Sequence, residues 1–233
     1  MGETENSIKN NIEQIWKRID NALARSGRQD DEVTVVAVSK TVGPEMVLKA
    51  ACNGIINFGE NRVQELCQKY DIIKKDVNWH LIGHLQTNKV KYIIDKVKLI
   101  HSVDSVQLAR EIQNRAQKAG RIVDILIQLN VSGEDTKFGA NPEIVMQLLK
   151  SINTYPNIKV KGLMTIGPFT EDSEAVRLVF RELKKIFIDI KKENIDNIDM
   201  TYLSMGMSND FEVAIEEGSN IVRIGTAIFG SRK

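Results

Sequence analysis

The chain has 233 residues, 42% of them hydrophobic and 27% charged, with a net charge of +1. A balance this close to neutral gives no electrostatic footprint for nucleic acid or for an anionic membrane surface. No apolar run nears the roughly 18 residues of a membrane span, and the polar start MGETENSIKNN lacks the apolar centre of a secretory signal. Cys52 and Cys67 are too few for a disulfide framework. A reduced, cytoplasmic protein is expected.

The first element is a helix, with Ile8, Ile12, Ile15, Ile19 and Leu23 at helical spacing and Ser26-Gly27 closing the run. Beyond it the period changes repeatedly. Short β-rich runs occur at VTVVAV (33–38), IINF (55–58), NWHLIG (78–83), KLIHSV (98–103), IVDILIQLN (122–130), IKVKGLMTI (158–166), MTYLSM (200–205) and NIVRIG (220–225). Helical stretches such as PEMVLKAACNG and SVQLAREIQNRAQKAG separate them. Strand and helix alternating about eight times predict a parallel sheet closed into a single (β/α)8 barrel, one domain over residues 1–233. The N-terminal helix is expected to complete the outer ring, because little chain follows the last strand. An open doubly wound sheet is the alternative, but no GxGxxG follows the first strand. The loop VSGEDTKFGANPE after the fifth strand is a candidate lid.

In such barrels chemistry sits at the C-terminal strand ends. The first strand ends on Ser39 and Lys40. Alternation places Thr34, Val36, Val38 and Lys40 on one face and Val33, Val35, Ala37 and Ser39 on the other. If the first face points inward, Lys40 stands at the barrel mouth. There a lysine can act as a Schiff-base nucleophile or can simply extend its amine to solvent.

The last strand runs into RIGTAIFG, where Gly225 permits close approach of an anion, Thr226 offers a hydroxyl and AIF can begin a short helix. The preceding loop SMGMSND offers Ser208 as an N-cap for a helix through Val213 and Ala214. Together they form a phosphate cup or ordinary turn chemistry. Arg223 shares parity with Gly225, so an inward guanidinium needs either a ligand or a barrel carboxylate as partner. In GENRVQE, Asn61 reads as a helix cap. His80 and His84 have inward-compatible parity with Ile82, but no cluster has metal-ligand spacing.

A phosphate cup opposite a reactive lysine describes pyridoxal phosphate held through a Schiff base. The motifs VAVSKT, FGENRVQE, WHLIGHLQTNK, GLMTI, LSMGMSNDFEVAI and VRIGTAIFG, spread from Val33 to Gly230, closely resemble those of the pyridoxal phosphate homeostasis proteins. That family is a barrel similar to the N-terminal domain of alanine racemase. The resemblance implies that Lys40 carries the cofactor and that Ser208, Gly225 and Thr226 hold its phosphate. It also implies that Arg223 approaches the pyridine nitrogen and that Asn61 and Met164 line the pocket, with no role for His84.

The role it implies is storage, delivery or buffering of pyridoxal phosphate, with effects on vitamin B6 and amino-acid balance. Recipients would be apoenzymes that use the cofactor. A monomer without efficient racemase turnover is expected. Racemisation needs an acid/base group on each face of the substrate, and no second domain carrying one is expected after Lys233. The alternatives are a true pyridoxal-phosphate enzyme, a racemase or lyase, and a cofactor-free Schiff-base aldolase.

Overall fold

The computed structural model describes residues 2–134, 137–168, 170 and 172–230. Its strands are β1 (Thr34–Val38), β2 (Asn57–Glu60), β3 (Asn78–Leu81), β4 (Val97–Val103), β5 (Val123–Gln128), β6 (Ile158–Met164), β7 (Ile198–Met207) and β8 (Ile221–Ile224). Each pairs in parallel with the next, and β8 returns to β1 to close the barrel. The helices are α1 (Gly2–Arg25), α2 (Pro44–Cys52), α3 (Val63–Ile72), α4 (Val106–Lys118), α5 (Val145–Ile152), α6 (Ser173–Lys192), α7 (Phe211–Glu216) and α8 (Thr226–Phe229). Short 3-10 helices at Thr87–Tyr92 and Pro142–Ile144 interrupt the pattern.

Two cores follow from strand alternation. Val36, Val38, Ile82, Leu99, Leu126, Met164 and Ile221 fill the barrel interior. Val35, Ala37, Phe58, Leu81 and Ile100 belong instead to the larger layer between barrel and helices. The inward face expected for β1 is therefore the one that leads to Lys40. A Leu-sized side chain buried in either layer stabilises the fold by about 1.5–3 kcal/mol.

α1 closes the ring as expected. Ile8, Ile12, Ile15 and Ile19 are buried, Asn11 Nδ2 donates to Ile228 O at 2.9 Å, and Arg18 pairs with Glu212 at 2.7 Å. These contacts bind α1 to α7 and α8, the two short helices after β7 and β8.

The second strand begins at Asn57, directly after the apolar pair Ile55-Ile56 and two residues later than expected, because its register is set by Val36 opposite Asn57. Within the expected lid, Asp135 and Thr136 lie outside the described residues. Just beyond them, Lys137 Nζ donates to Gly167 O at 3.0 Å and ties this loop to the one after β6. Among the described residues no helix is long and apolar enough to cross a membrane.

Candidate functional site

Register brings the expected residues onto one arc of the barrel mouth. Ala37 pairs with Ile224, so Gly225 follows at the level of Val38 on the neighbouring strand. Val38 pairs with Gly59, so Asn61 follows at the level of Lys40 on the other side. Met164 is fully buried at the end of β6, opposite Ser204 on β7, and Met207 is opposite Arg223. Lys40 itself is half-buried. A cleft of about 910 Å³ opens on the β1–β3 side, lined by Thr41, Asn61, Arg62, Glu65, Lys69 and His84 among others.

The residues flanking Lys40 are held from behind the barrel wall. Ser39 points outward, and its hydroxyl donates to Glu60 Oε1 at 2.6 Å. Lys69 of α3 donates to Ser39 O at 2.5 Å, to Glu60 Oε1 at 2.7 Å and to Glu65 Oε1 at 2.9 Å. Glu65 in turn accepts from the backbone N–H of Thr41. Thr41 has φ of 62°, the left-handed region that costs a β-branched residue about 1–2 kcal/mol. The buried bonds at Ser39 and the Glu65 bond to the Thr41 N–H offset that cost. Burial pushes the Glu60 carboxyl above its usual range, against the pull of Lys69 and Ser39, and its Oε2 has no hydrogen-bond partner among the described residues.

On the opposite side Arg223 is 4% exposed and points into the barrel. Its Nη1 donates to Ser204 Oγ at 2.7 Å and its Nη2 to Thr165 O at 2.8 Å. Burial lowers its pKa to about 10, partly opposed by the charge of Asp210. It is a cation at neutral pH, and neutral oxygens, not an ion-paired carboxylate, hold it among the described residues.

Ser208 lies half-buried between the last two strand ends, where its hydroxyl accepts from Gly225 N at 3.2 Å and Ala227 N at 3.4 Å. It thus joins the loop after β7 to the turn after β8, and AIF does form the short helix α8. Gly206 makes this possible: its φ is 94°, and a Cβ there would fall 2.6 Å from Ala214 Cβ and 2.9 Å from Phe211 Cα.

Two capping expectations are corrected. The N-cap of α7 is Asp210, not Ser208, because β7 runs on to Met207 and Asp210 Oδ1 accepts the Met207 N–H. The N-cap of α3 is Arg62, with no side-chain cap, and Asn61 lies one residue earlier. Asn61 is fixed instead by its backbone, against which any Cβ at Gly83 would collide. His80 points inward as expected and is buried. His84 does not: its ring stacks on Phe138 at 4.1 Å. Among the described residues no cluster suited to a metal ion exists.

Sequence reading missed His101 and Lys69, and it placed Ser204 and Glu60 at strand ends without giving either a role. Alternation from Leu99 would have put His101 inside, and the same step from Tyr202 would have put Ser204 there. The Lys69–Glu60 pair carries no local signal, since it joins a strand end to the middle of the next helix.

The model of the alanine racemase N-terminal domain matches residues 7–233. A protein of Aquifex aeolicus named pyridoxal phosphate homeostasis protein is 48% identical over 223 residues, 95% of this chain and 97% of its own length. This chain belongs to the pyridoxal phosphate homeostasis proteins. A human protein of the same name is 39% identical over 232 residues, 94% of this chain and 84% of its own. Among solved structures, PipY of Synechococcus elongatus with PLP bound superposes with a TM-score of 0.80 at 31% identity, covering 91% of this chain and 100% of that one. Alanine racemase of Clostridium difficile gives a TM-score of 0.76 at 15% identity over 97% of this chain and 60% of its own, a likeness of fold alone.

Proposed function

We propose that the chain binds pyridoxal phosphate through Lys40 and serves vitamin B6 homeostasis as a carrier and buffer, residues 1–233 forming one binding domain. The observation that carries this reading is the placement of the Lys40 strand directly beside β8, which supplies Arg223 and the Gly225–Thr226 turn. The donor set suits each part of the cofactor: an amine for an aldehyde, a guanidinium for a ring nitrogen, hydroxyls and backbone N–H groups for a phosphate. PipY, solved with PLP bound, supports it further.

Pyridoxal phosphate supplies an aldehyde that joins reversibly to amines and a ring that withdraws electrons best when its nitrogen is protonated. Lys40 would hold the aldehyde end, with its neighbours Ser39 and Thr41 braced by Lys69 and Glu65. Ser208, Gly225 and Thr226 would hold the phosphate; for this the Ser208 hydroxyl need only share the N–H groups it now accepts. Asn61 and Met164 would line the two flanks.

Arg223 carries the argument for a carrier over a catalyst. A guanidinium only donates, so a ring nitrogen facing it is held as an acceptor and stays unprotonated. That weakens the electron withdrawal that carbanion chemistry at an amino-acid α-carbon requires. The relatives are likewise named for homeostasis, not for a reaction.

The experiment is an absorbance spectrum of the purified chain followed by transfer to an apoenzyme. A yellow protein that restores activity to the apoenzyme supports the carrier reading; a colourless one that never takes up the cofactor contradicts it. The racemase-like fold gives the second reading, an enzyme acting on amino acids. Incubation with L- and D-alanine in deuterated water separates the two. The carrier reading expects slow α-deuterium uptake and no efficient change in enantiomer ratio, and fast Lys40-dependent racemisation would favour the enzyme.

A further inference from the structure

A single file of polar groups crosses the barrel interior from the starts of β2 and β3 to Arg223. Asn78 Nδ2 donates to Asn57 Oδ1 at 3.0 Å, and that oxygen lies 3.3 Å from His80 Nε2. His80 Nδ1 is 2.9 Å from His101 Nε2, and His101 Nδ1 is 3.0 Å from Ser204 Oγ. Arg223 Nη1 closes the file on Ser204 Oγ at 2.7 Å. His80, His101, Ser204 and Arg223 are all buried.

The two ends fix the direction of every proton. Ser204 Oγ accepts from Arg223 and keeps a second lone pair, so the far end decides. Asn57 Oδ1 can only accept, a neutral His80 must donate to it from Nε2, and the order this imposes along the file makes Ser204 give its one proton to His101 Nδ1. His101 then carries its own proton on Nε2 and donates to His80 Nδ1. His80 is left with its proton on Nε2, which meets Asn57 Oδ1, the oxygen that already accepts from Asn78. Turning round the link between the rings would set two lone pairs or two protons against each other. Both rings are therefore neutral Nε2–H tautomers. Burial agrees, holding His80 near a pKa of about 3 and His101 well below its usual value, the latter with help from the neighbouring ring and Arg223.

This file adds no counter-charge to the cation. Ser204 and Thr165 O give the guanidinium plane two fixed points, and neither carries charge. A carboxylate in either place would neutralise Arg223 and turn its remaining donors away from a ligand. We propose that Ser204, His101 and His80 are positioning residues that aim Arg223 at a neutral aromatic ring nitrogen, so that the chain selects pyridoxal phosphate over the same molecule without that nitrogen. The inference rests on the reading of Lys40 and Arg223 given above.

The test compares pyridoxal phosphate with its 1-deaza analogue, which keeps the aldehyde, hydroxyl and phosphate. Equilibrium dialysis on the full chain should show the wild type preferring pyridoxal phosphate by about tenfold or more, as one hydrogen bond to a charged group implies. Ser204→Ala should cut that preference to about threefold or less, on the same scale, while leaving affinity for the deaza analogue nearly unchanged; Ser204→Thr should restore it. A merely structural role would lower both affinities together and keep their ratio, which would overturn the proposal. If Ser204→Ala does not fold, His101→Asn, one link further from the ligand, should show the same selective loss, and a retained ratio there overturns it equally. A wild type that binds both ligands alike overturns the ring-nitrogen contact itself. A wild type that binds neither overturns the cofactor reading on which both stand.

Discussion

On the β1–β3 side of the mouth, the cation Lys69 sits outside the barrel wall among two carboxylates; it holds the Ser39 carbonyl on one side of Lys40, and its partner Glu65 holds the Thr41 N–H on the other. On the β6–β8 side, the cation Arg223 sits inside the barrel and, among the described residues, is hydrogen-bonded by neutral oxygens, one of them backed by two neutral imidazoles. The first arrangement uses charge up; the second preserves it. A brace behind the proposed attachment point needs strength and no reactivity, so ion pairing suits it. A cation meant to meet a ligand must keep its charge, so its supports are uncharged even though burying it that way is costly.

The largest effect should come from breaking the ionic side. Lys69→Met would leave Glu60 buried beside no cation and should destabilise the fold by about 3–5 kcal/mol. Urea unfolding would measure this, and a loss below about 1 kcal/mol would show that the brace behaves like an exposed pair. Next comes the anion side of the site. Ser208→Ala with Thr226→Ala should weaken retention of pyridoxal phosphate by about 1.5–3 kcal/mol per hydrogen bond lost. The backbone N–H of Gly225 remains, so binding should weaken without vanishing. Unchanged affinity in dialysis would move the phosphate elsewhere.

The neutral side should show itself through pH with a smaller effect. Because His80 is held near pKa 3 in the fold and titrates near 6.5 when unfolded, the unfolded chain binds the extra proton between those values. Its contribution is complete above about pH 6.5 and is lost on acidification, at about 1.4 kcal/mol per pH unit for each histidine so held. His101 is shifted the same way. Glu60, pushed up by burial, acts with the opposite sign, since the fold takes up its proton first as pH falls. The difference between wild type and a His80→Gln, His101→Gln chain isolates the imidazoles. Urea midpoints measured from pH 7 to pH 5 should fall more steeply for the wild type, and parallel curves would contradict neutral rings in the fold.

Strand count, barrel closure, the inward parity of Lys40 and the turn after β8 were all legible, because each depends on local periodicity or on one strand's alternation. The two capping errors arose where tertiary pairing overrode local preference: β7 extends through Ser204 to Met207, so Ser208 falls in a turn before the helix. β2 was read early for the same reason, since apolar Ile55 and Ile56 precede a strand whose own inward residues, Asn57 and Gly59, are polar or bare. The imidazole file was invisible as a unit. His101 and Ser204 lie 103 residues apart, and only closure of the barrel sets them face to face.

The central claim is that Lys40 is the attachment point. Incubation of the full chain with pyridoxal phosphate, reduction with borohydride and peptide mass spectrometry should place a single pyridoxyl group on Lys40, and the folded Lys40→Ala chain should carry none there and no yellow colour. A dominant adduct on any other lysine, or unchanged colour in Lys40→Ala, would contradict the account.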